Sequence, residues 1–182
     1  MQNKTALMEA FRKRLEYMPY DRIKVTDLCT DCNVNRQTFY YHFRNMADLA
    51  ARFIQSEAES LLRLDDDPFT WEDKIRALIE YLDRNREMCL SLLTSMEHSE
   101  LRRILASVTE QLIVKIAGST GPAGDAAILD IPGDEREFYI KFYSLAVSGL
   151  VESWIMGDIQ MSPERLIGYI ERIISRRIAA GL

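Results

Sequence analysis

The chain has 182 residues, of which 47% are apolar, and its 23 basic and 28 acidic side chains give a formal net charge of −5. This length and composition are sufficient for a hydrophobic core in one compact body, or in a small head and a larger body. No run of about 18 apolar residues occurs, and the start lacks the apolar segment of a signal peptide. The chain is therefore predicted to be a soluble cytoplasmic protein without a membrane partner.

The charge is unevenly distributed along the chain. Residues 1–50 contain eight Lys or Arg and six Asp or Glu, a net charge of +2, whereas the remainder contains fifteen against twenty-two, a net charge of −7. Since nucleic acid attracts the basic part of an acidic protein, the amino-terminal end is the expected contact region. The candidate cations are Lys4, Arg12, Lys13, Arg14, Arg22, Lys24, Arg36 and Arg44.

The first predicted element is a helix that ends before Pro19. Apolar side chains recur at helical spacing from Leu7 through Phe11 and Leu15 to Met18. Proline cannot continue a helix because it lacks the backbone N–H and its ring clashes with the preceding turn.

Residues 25–43 predict two short helices around a sharp turn. Leu28 and Cys29 face inward from the first helix, and Asn33 takes the turn position that requires a positive φ. Asn35 is the expected cap of the second helix, whose Phe39 and Phe43 lie four residues apart and therefore face the core together. Two short helices joined in this way can place the second helix in the major groove of DNA.

The outer face of the second motif helix carries side chains that suit double-stranded DNA. Arg and Gln can bind guanine and adenine edges with two hydrogen bonds, while Thr, Tyr and His suit phosphate oxygens or the thymine methyl group. The alternative is a helical hairpin with an ordinary polar surface. The predicted DNA-binding residues are Lys24, Thr26, Asn35, Arg36, Gln37, Thr38, Tyr40, Tyr41 and His42.

The chain has three cysteines, two of them in a Cys29-x-x-Cys32 pair that invites a redox or zinc interpretation. No second pair is present, so packing of these small side chains is the favoured interpretation. We expect no metal and no cofactor.

The remaining pattern predicts helices throughout. A long helix from Met46 to Leu64 is interrupted by Asp65-Asp66-Asp67-Pro68, and Thr70 is a suitable cap for the next helix. Gly118 to Gly133 is predicted to be a surface loop. The other helices are expected at about residues 70–86, 88–96, 99–117, 135–156 and 163–178.

The last two helices carry apolar residues interrupted by small ones, which would let another helix approach closely. Such a pair suits a four-helix interface between two copies, although the core of a monomer is the alternative. The predicted interface residues are Phe138, Phe142, Leu145, Ser148, Gly149, Trp154, Leu166, Ile170 and Ile174.

The segment Tyr40-Tyr41-His42-Phe43-Arg44-Asn45, between a preceding helix and turn and a following long helix, resembles the signature of the TetR family of bacterial transcriptional regulators. Ser148 to Ile155 with Ser162-Pro163-Glu164 is similar to a short-bodied branch that includes regulators of dihydroxyacetone kinase operons. Two positions depart from the TetR pattern. Asn33 replaces the usual turn glycine, and Met46 stands where relatives commonly carry a phosphate-contacting lysine.

The resemblance implies an all-α fold: an N-terminal three-helix helix-turn-helix DNA-binding head joined by a long fourth helix to a helical ligand-binding and dimerisation body. The expected domains are 1–48 and 49–182. The implied function is a homodimeric transcriptional regulator that binds palindromic operator DNA and is controlled by a small-molecule effector. The alternative is a DNA-binding co-regulator whose body binds a partner protein instead of a metabolite.

The candidate effector pocket consists of aromatic, sulfur-containing and histidine side chains in the body, although such residues also serve as plain core. They are Tyr81, Met88, Cys89, Met96, His98 and Tyr143. An enzyme is not expected, because the two histidines lie in different segments and neither belongs to a metal-binding motif. A nucleophile built from Cys89 and His98 would lack a third, orienting group.

Overall fold

The computed structural model of the chain describes residues 2–61, 70–95, 98–118 and 133–180. Within these ranges the chain forms nine α-helices, one short 3₁₀ turn at Tyr20–Arg22 and no strand. The helices are α1 (Gln2–Leu15), α2 (Val25–Asp31), α3 (Arg36–His42), α4 (Met46–Leu61), α5 (Trp71–Arg84), α6 (Arg86–Ser95), α7 (His98–Gly118), α8 (Gly133–Met156) and α9 (Pro163–Ala180). The predicted all-α class is confirmed.

The first three helices form the head. α1 packs against both α2 and α3, and its Leu7 and Phe11 are fully buried. The helix ends at Leu15, earlier than the predicted Met18, because the residue before Pro19 is pushed toward extended backbone. The N–H groups of Glu16, Tyr17 and Met18 then close a turn on carbonyls of the last helical residues.

The remaining helices form the body, in which α7 and α8 lie along each other and α9 packs against α5. Thr70 caps α5 as expected: its hydroxyl accepts the N–H of Asp73, whose carboxylate accepts the N–H of Thr70. Ser162 caps α9 by accepting the N–H of Arg165. The predicted loop after Gly118, the end of the long helix beyond Leu61 and Met96 lie outside the described residues.

Head and body share one hydrophobic core. Most of the buried apolar side chains form one cluster that runs from α1 through α4 to Trp154 of α8 and Ile170 of α9. α4 crosses from head to body without a break, so the predicted division at residues 48 and 49 falls in its first turn. α4 is therefore a continuous structural link between the head and the body.

Asn33 has a φ of 51°, the left-handed conformation expected from its turn position. The following residues close the turn, with the N–H of Val34 donating to the carbonyl of Cys29 at 2.9 Å. Asparagine tolerates this conformation better than residues without a short polar side chain, and glycine tolerates it without a Cβ penalty.

Substitution of Asn33 by alanine should therefore lower the free energy of unfolding by about 1 kcal/mol, whereas Asn33→Gly should leave it nearly unchanged. Urea denaturation of both variants, followed by circular dichroism, measures the difference. Equal midpoints for Asn33→Ala and the parent chain would contradict a conformational cost at this position.

Candidate nucleic-acid interface and body cavity

The head holds α3 at its N-terminal end and along its inner face. Asn35 caps the helix, since its Oδ1 accepts the backbone N–H of Thr38 at 2.8 Å and the Thr38 hydroxyl at 3.0 Å. On the inner side, Phe39 and Phe43 are buried with their ring centroids 5.5 Å apart. The sequence-based interpretation of the turn, the cap and the two inward aromatic residues is confirmed.

The outer face of α3 is open to solvent. Arg36 and Gln37 are exposed, and Tyr40 and Tyr41 are 49% and 84% exposed. Arg36 is placed over the Tyr40 ring, with its guanidinium carbon 5.9 Å from the centroid and one nitrogen 3.4 Å from the hydroxyl oxygen. This contact holds both side chains on the surface that α3 presents outward.

The other predicted contact residues surround this face. Lys24 and Thr26 are exposed at the start of α2, whose first turn is closed by the Lys24 N–H donating to the Asp27 carboxylate. Thr38 and His42 are half-buried, and the His42 ring lies 4.9 Å from that of Tyr41. Asn35 is exposed, and its Oδ1 is engaged in the cap, while a contact of its side chain with DNA stays a prediction.

Several candidate cations are engaged within the protein. Arg14 makes a two-pronged contact with Asp31 at 2.6 and 2.9 Å and joins α1 to α2. This hydrogen bond lowers the pKa of Asp31 and raises that of Arg14. Arg12 faces Glu57 of α4 at 3.6 Å. Arg12 nevertheless remains exposed, as do Lys13, Arg22, Lys24, Arg36 and Arg44 of the head, and Arg44 also lies 3.7 Å from the Asp48 carboxylate.

Asp48 fixes the junction between α3 and α4. Its carboxylate is 6% exposed and accepts the backbone N–H of Arg44 at 2.9 Å and the guanidinium of Arg52 at 3.2 Å. Burial raises the pKa of this carboxyl, but those two donors outweigh burial and the net shift is downward. Asn45 completes the junction by accepting the Asp48 N–H at 2.8 Å.

The body contains a cavity of about 120 Å³ that is bounded by α4 to α9. Its walls are mainly aliphatic, including Ile79, Leu92 and Val151, with the aromatic ring of Phe53 among them. Tyr81, Met88 and Cys89 line it as predicted, whereas Tyr143 does not. Met96 and the side chain of His98 lie outside the described residues. Glu57 also lines the cavity, although it was not among the predicted pocket residues.

Two groups in the cavity have ionisation shifted by burial. The pKa of Cys89 is raised to about 11, so its thiol stays protonated at neutral pH and is a poor nucleophile. The pKa of Tyr81 is also raised, first by burial and then by its hydrogen bond to Glu57. The cavity therefore presents neutral, mostly apolar surface except at the Glu57 carboxylate.

The body also contacts the head through α6. The N–H of Tyr20, in the 3₁₀ turn before α2, donates to the Ser91 hydroxyl oxygen at 2.8 Å. Ser91 lies on the same helix as the cavity residues Met88, Cys89 and Leu92. The cavity wall is thus one helical turn away from a direct hydrogen bond to the head.

The predicted interface residues of α8 and α9 divide into two groups. Phe138, Phe142 and Leu145 are 66%, 55% and 56% exposed, and a Cβ added to Gly149 would meet no described atom within 4 Å. We call these four residues and Met156, which is 41% exposed, the α8 stripe. Phe138 and Phe142 are stacked at 6.3 Å within it.

The second group needs correction, because its side chains are buried in their own chain. They cannot face a second copy without unfolding the body. Among the α9 side chains that the structure describes, the exposed large apolar ones are instead Tyr169 and Ile173. The side chain of Ile174 lies outside the described residues. The residues corrected are Ser148, Trp154, Leu166 and Ile170.

A helix-turn-helix head fused to an all-helical body defines the class of helix-turn-helix transcriptional regulators. Residues 70–176 match the TetR_C_8 family, a transcriptional regulator C-terminal region. This match covers more than half of the chain, which therefore belongs to the TetR family of transcriptional regulators.

Individual relatives agree with this assignment. The chain is 23% identical over 173 residues to the HTH-type dhaKLM operon transcriptional activator DhaS of Lactococcus lactis, covering 94% of this chain and 88% of the relative. A solved dihydroxyacetone kinase operon activator DhaS superposes with a TM-score of 0.71 at 19% identity, covering 98% and 97% of the two chains. A TetR regulator from Rhodococcus sp. RHA1 gives 0.64 at 12% identity, covering 99% and 94%. These relatives are transcriptional regulators by name.

In the part of the chain that the structure describes, no helix combines the length and apolar character needed to cross a membrane.

Proposed function

We propose that the chain is a homodimeric cytoplasmic regulator that binds palindromic operator DNA through α3 and responds to a small molecule in the body cavity. The observation that carries the proposal is the outer face of α3. It is a capped, packed helix that presents Arg36, Gln37 and Tyr41 to solvent beside the exposed Lys24. Helices with these side chains read base edges, while flanking cations bind phosphates.

Dimerisation is supported by the α8 stripe. Three large apolar side chains with more than half of their surface exposed are costly on a monomer, and they adjoin a glycine that leaves room for a second helix. Two copies joined here would carry two heads, and palindromic half-sites lie about 34 Å apart on one face of DNA. The predicted domain division, with reading by residues 1–48 and dimerisation by residues 49–182, belongs to this proposal.

Control by a metabolite is favoured over control by a partner protein. A body packed solid would have supported the partner protein, whereas the observed cavity of about 120 Å³ exceeds the space needed for a few waters. Its walls join α4, which enters the head, to α6, which is hydrogen-bonded to it. A ligand that prefers one arrangement of these helices would change the affinity for DNA.

The direct experiment is selection of genomic fragments by the purified full chain, followed by sequencing. A shared inverted repeat among the bound fragments supports the proposal, and fragments without a common sequence contradict it. A reporter driven by the selected promoter then gives the direction of control. Since the two similar proteins named DhaS are activators, the reporter should be arranged to detect a gain in transcription.

Substitution of Arg36 by alanine should weaken binding to the selected operator by about 1–3 kcal/mol and relax the base preference at one position, because a two-pronged contact with guanine is lost. Lys24→Ala is the matched comparison. It should weaken all sequences similarly and reduce the salt dependence by about one unit of slope. Fluorescence anisotropy over an operator series measures both. Equal loss on every sequence for Arg36→Ala would remove it from the base-reading set.

Substitution of Phe142 by glutamate should raise the dimer dissociation constant at least about tenfold, since a charge would be buried without a partner. Because Phe142 is 55% exposed, the protomer should stay folded. Light scattering after size exclusion measures the mass. Tyr17→Glu, at an aromatic residue that is 67% exposed on the head, is the control and should leave the mass unchanged. A Phe142→Glu chain with the parent's mass at micromolar concentration would place the interface elsewhere.

A further inference from the structure

Among the described wall residues of the cavity, Tyr81 and Glu57 form a hydrogen bond between two different helices. The Tyr81 hydroxyl of α5 donates to Glu57 Oε2 of α4 at 2.5 Å, and both residues line the cavity. Two other hydroxyls in the wall are committed locally, because Thr109 donates to Leu105 of α7 and Ser148 to Leu145 of α8. Among the described wall residues, the Glu57 carboxylate is therefore the strongest hydrogen-bond acceptor.

The same carboxylate continues to the head. Its other oxygen, Oε1, lies 3.6 Å from a guanidinium nitrogen of Arg12 on α1. The Glu57 side chain of α4 thus contacts α5 at the cavity and α1 in the head. The side chains of Glu57 and Arg12 are 22% and 49% exposed, so the contact can rearrange without leaving a charge stranded in the core.

We propose, building on the proposed ligand control, that the effector is a compact apolar molecule with one hydrogen-bond donor. Its donor replaces the Tyr81 hydroxyl at Glu57, and the carboxylate, which shifts toward the new donor, changes its contact with Arg12. Glu57 is then the residue that recognises the ligand, and Arg12 is a positioning residue that transmits its presence to α1.

The size and chemistry of the cavity set the ligand class. A dry apolar cavity of about 150 Å³ accommodates a benzene ring, and the present cavity is slightly smaller at about 120 Å³. The aliphatic walls favour an apolar skeleton, and an anion is disfavoured because it would meet the Glu57 carboxylate. A hydroxyl or a protonated amine supplies the donor that a carboxylate accepts.

The competition with Tyr81 gives the inference a distinctive signature. A ligand that merely fills space should bind equally well with or without a donor. A ligand that donates to Glu57 should bind more tightly when the Tyr81 hydroxyl is removed, because Oε2 then has no competing donor from Tyr81. The same ligand should bind more weakly when the carboxylate is replaced by an amide, which is a weaker acceptor and also presents N–H donors.

The test compares phenol with toluene, which has a ring of similar size and no donor, as probes of the full chain. Ligand-observed NMR titration gives the two dissociation constants, and circular dichroism establishes that each variant is folded. Phenol should bind the parent chain at least about fivefold more tightly than toluene, because only phenol donates a hydrogen bond to the carboxylate. This preference should rise in Tyr81→Phe and fall below about twofold in Glu57→Gln. Equal binding of the two probes, or a preference unchanged by Glu57→Gln, overturns the inference.

The transmission step is tested by measuring the dissociation constant for the selected operator with and without phenol, at one fixed salt concentration. Phenol should change the dissociation constant of the parent chain by about fivefold. Arg12→Ala should bind phenol normally but lose this response. Arg84→Ala should keep it, since Arg84 pairs with Glu80 inside α5. A full response in Arg12→Ala overturns the transmission step. A parent chain that binds no operator contradicts the proposed function, while the phenol and toluene comparison still decides the ligand class.

Discussion

Replacement of Phe39 by alanine should lower the free energy of unfolding by about 3–5 kcal/mol and abolish sequence-specific DNA binding. The side chain is fully buried, with its ring centroid 5.5 Å from that of Phe43 and 5.4 Å from that of Tyr40. Its removal leaves a void beneath α3, the helix that we propose reads the operator. Urea denaturation of the full chain measures the stability, and anisotropy with the operator measures binding.

The adjacent surface provides a control for this variant. Tyr41 is 84% exposed, so Tyr41→Ala should change the stability by no more than about 0.5 kcal/mol. The two variants therefore separate support of α3 from contact with DNA. A Phe39→Ala chain with the denaturation midpoint of the parent would show that α3 does not depend on this packing.

Replacement of Trp154 by alanine should destabilise the body by about 3–5 kcal/mol. The side chain is 1% exposed, and its indole N–H donates to the carbonyl of Met161 at 2.9 Å, which holds the turn between α8 and α9. The guanidinium of Arg86 lies 5.1 Å from the ring centroid and donates to the Trp154 carbonyl, which attaches α6 to the end of α8. Far-ultraviolet circular dichroism during urea denaturation measures the loss without using tryptophan as the probe.

Trp154→Phe isolates the contribution of the indole N–H. It keeps an aromatic ring over Arg86 but leaves the Met161 carbonyl without this donor, so a loss of about 1–3 kcal/mol is expected. Both variants should leave the proposed dimer interface intact, because the side chain is buried in its own chain. A Trp154→Ala chain that becomes monomeric while retaining its full stability would contradict this assignment.

Local chemistry is the reason that the head was predictable. The left-handed turn at Asn33, the Asn35 cap and the spacing of Phe39 and Phe43 are each specified by residues a few positions apart. The caps at Thr70 and Ser162 were predictable for the same reason. Helix ends differed by a few residues, since an end depends on backbone geometry as well as on the cap.

Which side of α8 is buried was not predictable from residue type. Phe138 and Phe142 are exposed, whereas Ser144 and Ser148 are buried. Ser144 donates its hydroxyl to the Ile140 carbonyl at 2.6 Å, so the buried polar group is satisfied. A helix that is largely apolar on all sides has no periodicity to show which face packs inward, and tertiary packing alone made that choice.

The cavity was partly predictable. Tyr81, Met88 and Cys89 stood out as polarisable or aromatic residues on helices, whereas Glu57 was overlooked because a charged residue in a periodic helix usually faces solvent. Its partners, Tyr81 and Arg12, are 24 and 45 residues away in the chain. Only the fold brings these three side chains together.

The junction held by Asp48 determines where hybrid regulators can be joined. A chimera spliced between Arg44 and Arg52 would assign the donors of this buried carboxylate to different parents. A head grafted onto a foreign body should therefore carry its own residues through Arg52, so that α3 and the first turns of α4 are transplanted as a unit. Exchanging the bodies of such proteins then requires that the part of α4 after Arg52 packs correctly against the new body.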